Sequence, residues 1–217
     1  HSVLEHVFEL PAAERTVEAA VRLLPQRWSV LAEERPELVE MIEASDELDD
    51  VTWLEGAAEL VERGFELEDP QRLEPAEREL YVETEIEGLT LRGIVDRLDV
   101  AADGAMRVVD YKTGRSPREG FEAKALFQMK FYALVLWRLR GEIPKVLQLV
   151  YLGDRQVVRY VPDEQDLRGM ERNVKAVWAA VQRAAETGDW RPSRSRRGWR
   201  SKSRPSSVAM STRCSPR

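Results

Sequence analysis

Apolar residues recur at helical spacing up to about residue 70 and then at every second position. "PAAERTVEAAVRLLPQRW" (11–28) sets Val17, Val21 and Leu24 on one face behind a Pro start, which predicts an amphipathic helix. "RPELVEMIEAS" (35–45) and "TWLEGAAELVERGFEL" (52–67) predict two more. From Arg78 the alternation is that of half-buried strands, predicted near 79–87, 89–100 and 105–112, with turns at Glu87-Gly88 and Ala102-Asp103-Gly104. "REGFEAKALFQMKFYALVLWRLRG" (118–141) predicts a long helix closed by Gly141 as its C′ residue. A hairpin over 145–161, turning at Gly153-Asp154, and a helix over 164–188 follow. That last helix carries Leu167, Met170, Val174, Trp178 and Val181 as one stripe and stops at Gly188.

The order helices, three strands, helix, two strands, helix predicts an α/β fold, a mixed sheet flanked by helices. It divides the chain into a helical region (1–77), a sheet-centred core (78–190) and a tail (191–217). The tail carries nine Lys/Arg and no Asp/Glu, with eight Ser and three Pro, and shows no periodicity. Such a composition buries too little apolar surface to fold, so the tail is predicted to be disordered. It reads either as a basic nucleic-acid-binding arm or as a non-native terminus.

Composition narrows the function classes. The chain has 217 residues and a net charge of −6. Its acidity lies mainly before Lys112, whereas residues 112–145 carry eight basic and three acidic residues. No apolar run approaches the roughly 20 residues of a membrane span. The single cysteine, Cys214, excludes an internal disulfide. The opening "HSVLEHVFELP" carries acids where the basic n-region of a signal peptide would stand, and a reduced, cytoplasmic location is expected.

"VVDYKTG" (108–114) aims Asp110 and Lys112 at one face, because residues two apart in a strand share a face. Asp96 and Asp110 are symmetric about Asp103, the middle of the "AADG" turn. Absent a bulge, they oppose each other with Cβ atoms about 4.5–5.5 Å apart. Two facing carboxylates repel and call for a cation. Lys112 supplies one charge, and a divalent metal supplies more. The same register pairs Asp99 with Arg107 on the opposite face, as a plain cross-strand ion pair worth little. Gln128 and Tyr132, four apart, share a face of the following helix. The chain has no P-loop, GxSxG, HExxH or zinc-ligand spacing.

"GIVDRLD" (93–99), "VVDYKTG" (108–114) and "QMKFY" (128–132) together resemble the RecB-type branch of the PD-(D/E)xK nuclease superfamily, whose patterns are G-x-x-D-R-x-D, D-Y-K-T-G and Q-x-x-x-Y. The resemblance covers about residues 1–190 and implies the restriction-endonuclease-like fold: a mixed sheet with flanking helices behind a helical N-terminal region. It implies a metal-dependent DNA exonuclease acting in repair or recombination. Asp96 and Asp110 would bind Mg²⁺ or Mn²⁺, Lys112 would be the catalytic lysine, and Gln128 and Tyr132 would contact DNA and support the site. "HSVLE" (1–5) is similar to the family's H-x-x-L-E, which makes His1 a third metal ligand. Arg115, Arg118, Lys124 and Lys130 would line the path of the DNA backbone. Family members often work beside helicases, though no helicase motif is present here.

Two departures accompany the resemblance. The chain opens at the motif histidine, so the family's preceding segment is expected to be missing. Relatives often end in closely spaced cysteines that bind an iron–sulfur cluster, which Cys214 alone does not support. An out-of-frame ending near residue 191 is expected, and translating the other two frames of the gene's 3′ end would reveal a cysteine-rich ending. Three readings stay open: an active exonuclease, a silent truncated relative that only binds DNA or a partner, and a non-nuclease interaction protein with structural acids.

Overall fold

The computed structural model describes residues 1–44, 49–117 and 123–190, without the side chains of residues 50, 123 and 124. The expected tail (191–217) and Arg118 lie outside the described residues. His1–Ala179 form one compact unit.

Helix α1 (Ser2–His6) is followed by α2 (Val17–Glu34), α3 (Pro36–Glu43) and α4 (Asp50–Leu67). The first predicted helix begins later than its proline. Thr16 caps α2 by accepting the Ala19 N–H at 3.2 Å, while Arg15 is turned inward onto the carbonyls of Phe8, Leu10 and Leu73. The cap fixes the start of the helix, and a separate 3-10 turn (Ala12–Glu14) precedes it.

Strands β1 (Glu77–Ile86), β2 (Leu89–Val100) and β3 (Met106–Lys112) form an antiparallel meander. Helix α5 (Ala123–Arg140) crosses over to β4 (Val146–Tyr151), which lies parallel to β3; β5 (Gln156–Tyr160) pairs antiparallel with β4, and α6 (Glu164–Thr187) closes the order. The sheet order is β1-β2-β3-β4-β5, a mixed sheet flanked by helices as the sequence predicts. Gly141 ends α5 at φ +74°, donating to the Trp137 carbonyl.

One face of the sheet packs on α5, where Val82, Val95, Leu98, Val108, Leu134 and Leu136 are buried in one cluster. Fully burying such side chains contributes roughly 1.5–3 kcal/mol each, which fixes α5 rigidly over β2 and β3. Leu167 and Met170 of the predicted α6 stripe join this core, whereas Trp178 is half-exposed. On the other face Leu4 and Leu60 pack on Val109, Tyr111 and Val150.

The side-chain alternation of β2 slips once. Leu91 and Val95 face α5, yet so does Leu98, three residues beyond Val95. A regular strand puts positions 95 and 98 on opposite faces. The slip falls at Asp96. The β1–β2 ladder skips the Glu79–Asp96 pair, and the β2–β3 ladder ends at Arg97↔Val109. Glu79 has φ +44°, an uncommon backbone state for a residue with a side chain.

Candidate active site

The predicted register, which pairs Asp99 with Arg107, is present as far as Arg97↔Val109, but the ladder parts before Asp96 and Asp110 meet as a cross-strand pair. The physical reason is the slip. Asp96 leaves the pairing and its Oδ2 accepts the Tyr111 backbone N–H at 2.8 Å, replacing a ladder bond with a side-chain one. Asp96 therefore sits at the mouth of the gap between β2 and β3.

Asp110 and Lys112 share a face as expected, with Lys112 Nζ 2.6 Å from Asp110 Oδ2. Lys112 also donates to Gln128 Oε1 at 2.9 Å, and Gln128 Nε2 lies 3.0 Å from the Tyr132 hydroxyl. Because an ammonium only donates, Gln128 must turn its oxygen to Lys112 and its NH₂ to Tyr132, which fixes the amide's orientation. Gly93 explains why the first motif opens with glycine. A methyl group there would stand 2.8 Å from Tyr132 Cε1, so the tyrosine ring rests directly on the β2 backbone. The three sequence motifs thus meet through Asp110, Lys112, Gln128, Tyr132 and Gly93.

His1 Nδ1 lies 3.5 Å from Asp96 Oδ2 on the other side of the gap. Arg78 donates to the Glu5 carbonyl at 2.7 Å and ties α1 to β1 there. Glu79 completes this corner: one ligand atom each of His1, Glu79 and Asp96 lie within 4.8 Å of one another. Sequence reasoning missed Glu79, although the signal was present. Centring β1 and β2 on the Glu87-Gly88 turn, as was done for the next hairpin, places position 79 opposite 96.

The set is short of positive charge. Burial pushes Asp110 up to about 6, and the neighbouring Asp96 charge adds to the effect against the pull of Lys112. Burial likewise raises Asp96, while the Tyr111 N–H and Lys112 oppose it. Glu79 is raised by burial and then by Asp96.

These residues fit a divalent cation. An imidazole nitrogen and two carboxylates converge around a cavity of about 10 Å³, roughly the size of one water or ion, which Glu5, Tyr111, Arg78 and Arg97 also line; Arg78 is engaged by the Glu5 carbonyl and Arg97 by Glu68. Asp110 stands outside that trio, against Lys112; its Oδ2 is buried with no hydrogen-bond partner beyond the ion contact, among the described residues.

Beside the site, on the face of the sheet that packs on Leu4, lies a network that the motifs do not announce, and its Arg97 and Tyr111 also line the His1–Glu79–Asp96 cavity. Arg97 is 1% exposed and forms a double hydrogen bond with Glu68, at 2.9 and 3.0 Å. The Tyr111 hydroxyl accepts from Arg97 and donates to Glu68 at 3.0 Å. Asp99 pairs with both Arg97 (3.1 Å) and Arg107 (2.8 Å). The Asp99–Arg107 pair is therefore a part of a buried network rather than an isolated ion pair on a strand surface.

The remaining basic candidates separate. Arg115 is exposed on the loop after β3, which is pinned where Ser116 N–H and Oγ donate to Asp154 at 3.1 and 2.6 Å. With Lys112 it lines a cleft of about 570 Å³. Lys130 instead pairs with Asp166 at 2.8 Å and lies 4.6 Å from the centre of the Tyr160 ring, and it does not line that cleft. Lys124 belongs to α5, with its side chain outside the described residues. No described helix is long and apolar enough to cross a membrane.

Comparison with known proteins bears on the fold and the family. The chain is 38% identical over 78 residues to the Gene 69 protein of Mycobacterium phage D29, a match over 36% of this chain and 26% of that protein. The chain thus spans about a quarter of that relative's length. A crystal structure from Eubacterium rectale, named as a candidate exonuclease, superposes with a TM-score of 0.52 at 12% identity, over 95% of this chain and 75% of that one. At that identity the likeness shows the fold. The sequence profile of the PD-(D/E)XK nuclease superfamily matches residues 1–204, and the chain belongs to that superfamily.

Proposed function

We propose that this chain is a RecB-type, metal-dependent DNA exonuclease of repair or recombination, hydrolysing phosphodiester bonds with Mg²⁺ or Mn²⁺. The observation that carries the reading is that the Asp110–Lys112–Gln128–Tyr132 chain and the His1–Glu79–Asp96 corner stand side by side, Asp96 accepting the N–H of Tyr111 between Asp110 and Lys112. Asp96, His1 and Glu79 are the residues to hold the ion, with Asp110 at its edge. A divalent cation supplies positive charge beside the phosphate and makes a neighbouring water a stronger acid.

The protein's own groups do the rest. Asp110 and Gln128 take two of the three Lys112 donors, and the third faces the attacking water or a phosphate oxygen. As the water oxygen bonds to phosphorus and the P–O ester bond breaks, Lys112 stabilises the negative charge gathering on the phosphoryl oxygens. The attacking water releases a proton to solvent as its bond to phosphorus forms, and the departing alkoxide takes one from solvent to leave as an alcohol. Arg115 supplies a cation along the DNA backbone. No described group is placed to read base edges, so sequence specificity is expected to be low; duplex unwinding would fall to a helicase partner.

The test is degradation of linear and circular DNA, single- and double-stranded, with Mg²⁺, Mn²⁺ or EDTA, by wild type and Lys112→Ala. Metal-dependent loss of linear DNA, reduced on the order of 10²–10³-fold in the mutant, is expected. Equal activity in the mutant, or none in a folded wild type that a divalent cation stabilises, would sink the catalytic reading. The second of these outcomes favours a silent relative that only binds DNA.

A further inference from the structure

Three groups of the candidate site depend on where one backbone stands. Tyr111 lies between Asp110 and Lys112 on β3, and its N–H holds Asp96 Oδ2 at 2.8 Å. A shift of Tyr111 therefore moves both aspartates relative to His1 and Glu79. Toward β4 this backbone is fixed, because the parallel ladder runs on through Tyr111↔Val150 and Lys112↔Tyr151. Toward β2 it is not, since that ladder ends at Arg97↔Val109.

Past that point side chains replace the ladder. The Arg97 guanidinium donates to the Tyr111 hydroxyl and lies 5.5 Å from the centre of its ring. Glu68, at the end of α4, accepts from both, from Arg97 at 2.9 and 3.0 Å and from Tyr111 at 3.0 Å. Arg97 directly follows Asp96 in β2, as Tyr111 follows Asp110 in β3. The three side chains thus tie the neighbour of one carboxylate to the neighbour of the other and anchor both to α4. Arg97 and Tyr111 also line the cavity at His1, Glu79 and Asp96.

Cations differ in how much they need such a tie. Mg²⁺ demands near-ideal octahedral geometry at about 2.0–2.1 Å, whereas Ca²⁺ accepts irregular shells at about 2.3–2.6 Å. Loosening the gap between β2 and β3 therefore costs the smaller ion more.

We propose that Tyr111 is a positioning residue for the ion: bonded to Arg97 and Glu68, it sets the spacing of Asp96 from Asp110 and with it the preference for Mg²⁺ over Ca²⁺. The proposal rests on the metal-dependent reading of this site and adds what tunes it.

The test follows Mn²⁺ bound to the full chain by electron paramagnetic resonance, with Mg²⁺ or Ca²⁺ added as competitor and no DNA present. Wild type, Tyr111→Phe and Gln148→Leu are compared once thermal unfolding has shown each to be folded. Tyr111→Phe removes one oxygen and keeps the ring and both Arg97–Glu68 bonds. Gln148→Leu removes the 3.0 Å bond to Glu68 and the 2.9 Å bond from Arg159 while sparing Tyr111. Tyr111→Phe should weaken Mg²⁺ binding roughly tenfold or more and Ca²⁺ binding less than about threefold. Gln148→Leu should lower Tm yet leave the ratio of the two affinities within about twofold of wild type. A folded Tyr111→Phe with the wild-type ratio would overturn the proposal and leave the metal site standing. The same shift of ratio in Gln148→Leu would assign the effect to lost stability and overturn it too. A wild type that holds no Mn²⁺ would overturn the metal site and this proposal together.

Discussion

The two sides of β2 and β3 carry similar residues and treat them oppositely. On the side of the N-terminal helices, Arg97 and Arg107 meet Glu68 and Asp99, so charge is balanced, and Gln148 bridges Glu68 to Arg159. On the other side Asp110 meets Lys112, and at the gap between β2 and β3 Glu79 and Asp96 meet His1 beside a cavity that Arg78 and Arg97 also line. Desolvating a charge is costly, so a buried set persists when its members neutralise one another. A set left short of cations keeps its carboxylates raised until something from outside joins it. Balance marks a structural network here, and imbalance marks the candidate site. Tyr111 joins the two: its hydroxyl belongs to the balanced side and its backbone N–H holds Asp96.

The largest test removes the balance. Glu68→Ala strands Arg97 beneath the sheet and should cost about 3–5 kcal/mol, lowering Tm by roughly 10 °C. Thermal and denaturant unfolding would show it. A loss under about 1 kcal/mol would mean that the network is loosely held, and the contrast between the two faces would collapse.

On the other face the sign reverses. Asp110→Asn removes a charge that burial and Asp96 oppose, and the released Lys112 side chain is about a third exposed. Without metal, Tm should hold or rise by about 2–4 °C, corresponding to ~1 kcal/mol. The rise in Tm that Mn²⁺ gives the wild type should shrink or vanish in the same variant. Strong destabilisation by Asp110→Asn would instead make Asp110–Lys112 a structural ion pair.

The sequence revealed the site better than its foundation. β2 runs over the predicted 89–100, and centring the hairpin on Asp103 correctly pairs Asp99 with Arg107. These features are local: turn residues and period-two alternation encode them within a few positions. The slip at Asp96 was hidden, because glutamate at position 79 gives no hint of a positive φ and a one-residue shift leaves the apolar count unchanged. Glu68 was hidden for another reason. It ends a helix 29 residues before Arg97, and no short-range pattern links the two. Lys130 looked available to DNA because its partner Asp166 is 36 residues away.

That last pair supplies the smallest test. Lys130, Asp166 and Tyr160 are balanced like the Arg97 network but lie near solvent, with Asp166 24% exposed. The hydrogen bonds from Lys130 and Tyr160 hold the Asp166 carboxyl down at about 2. A depressed acid contributes stability above its unfolded value of roughly 3.9, and that contribution is lost as pH falls toward 2. Solvent screening keeps it below about 1 kcal/mol. Asp166→Asn should therefore lower Tm by about 2 °C at neutral pH, with the gap narrowing below pH ~4 and in high salt. A gap independent of both would assign the effect to packing. The same variant tests Lys130 itself, since freeing its ammonium should leave DNA binding unchanged if the cleft at Lys112 and Arg115 is the path. A clear gain in DNA affinity would bring Lys130 back onto that path and extend the basic surface around α5.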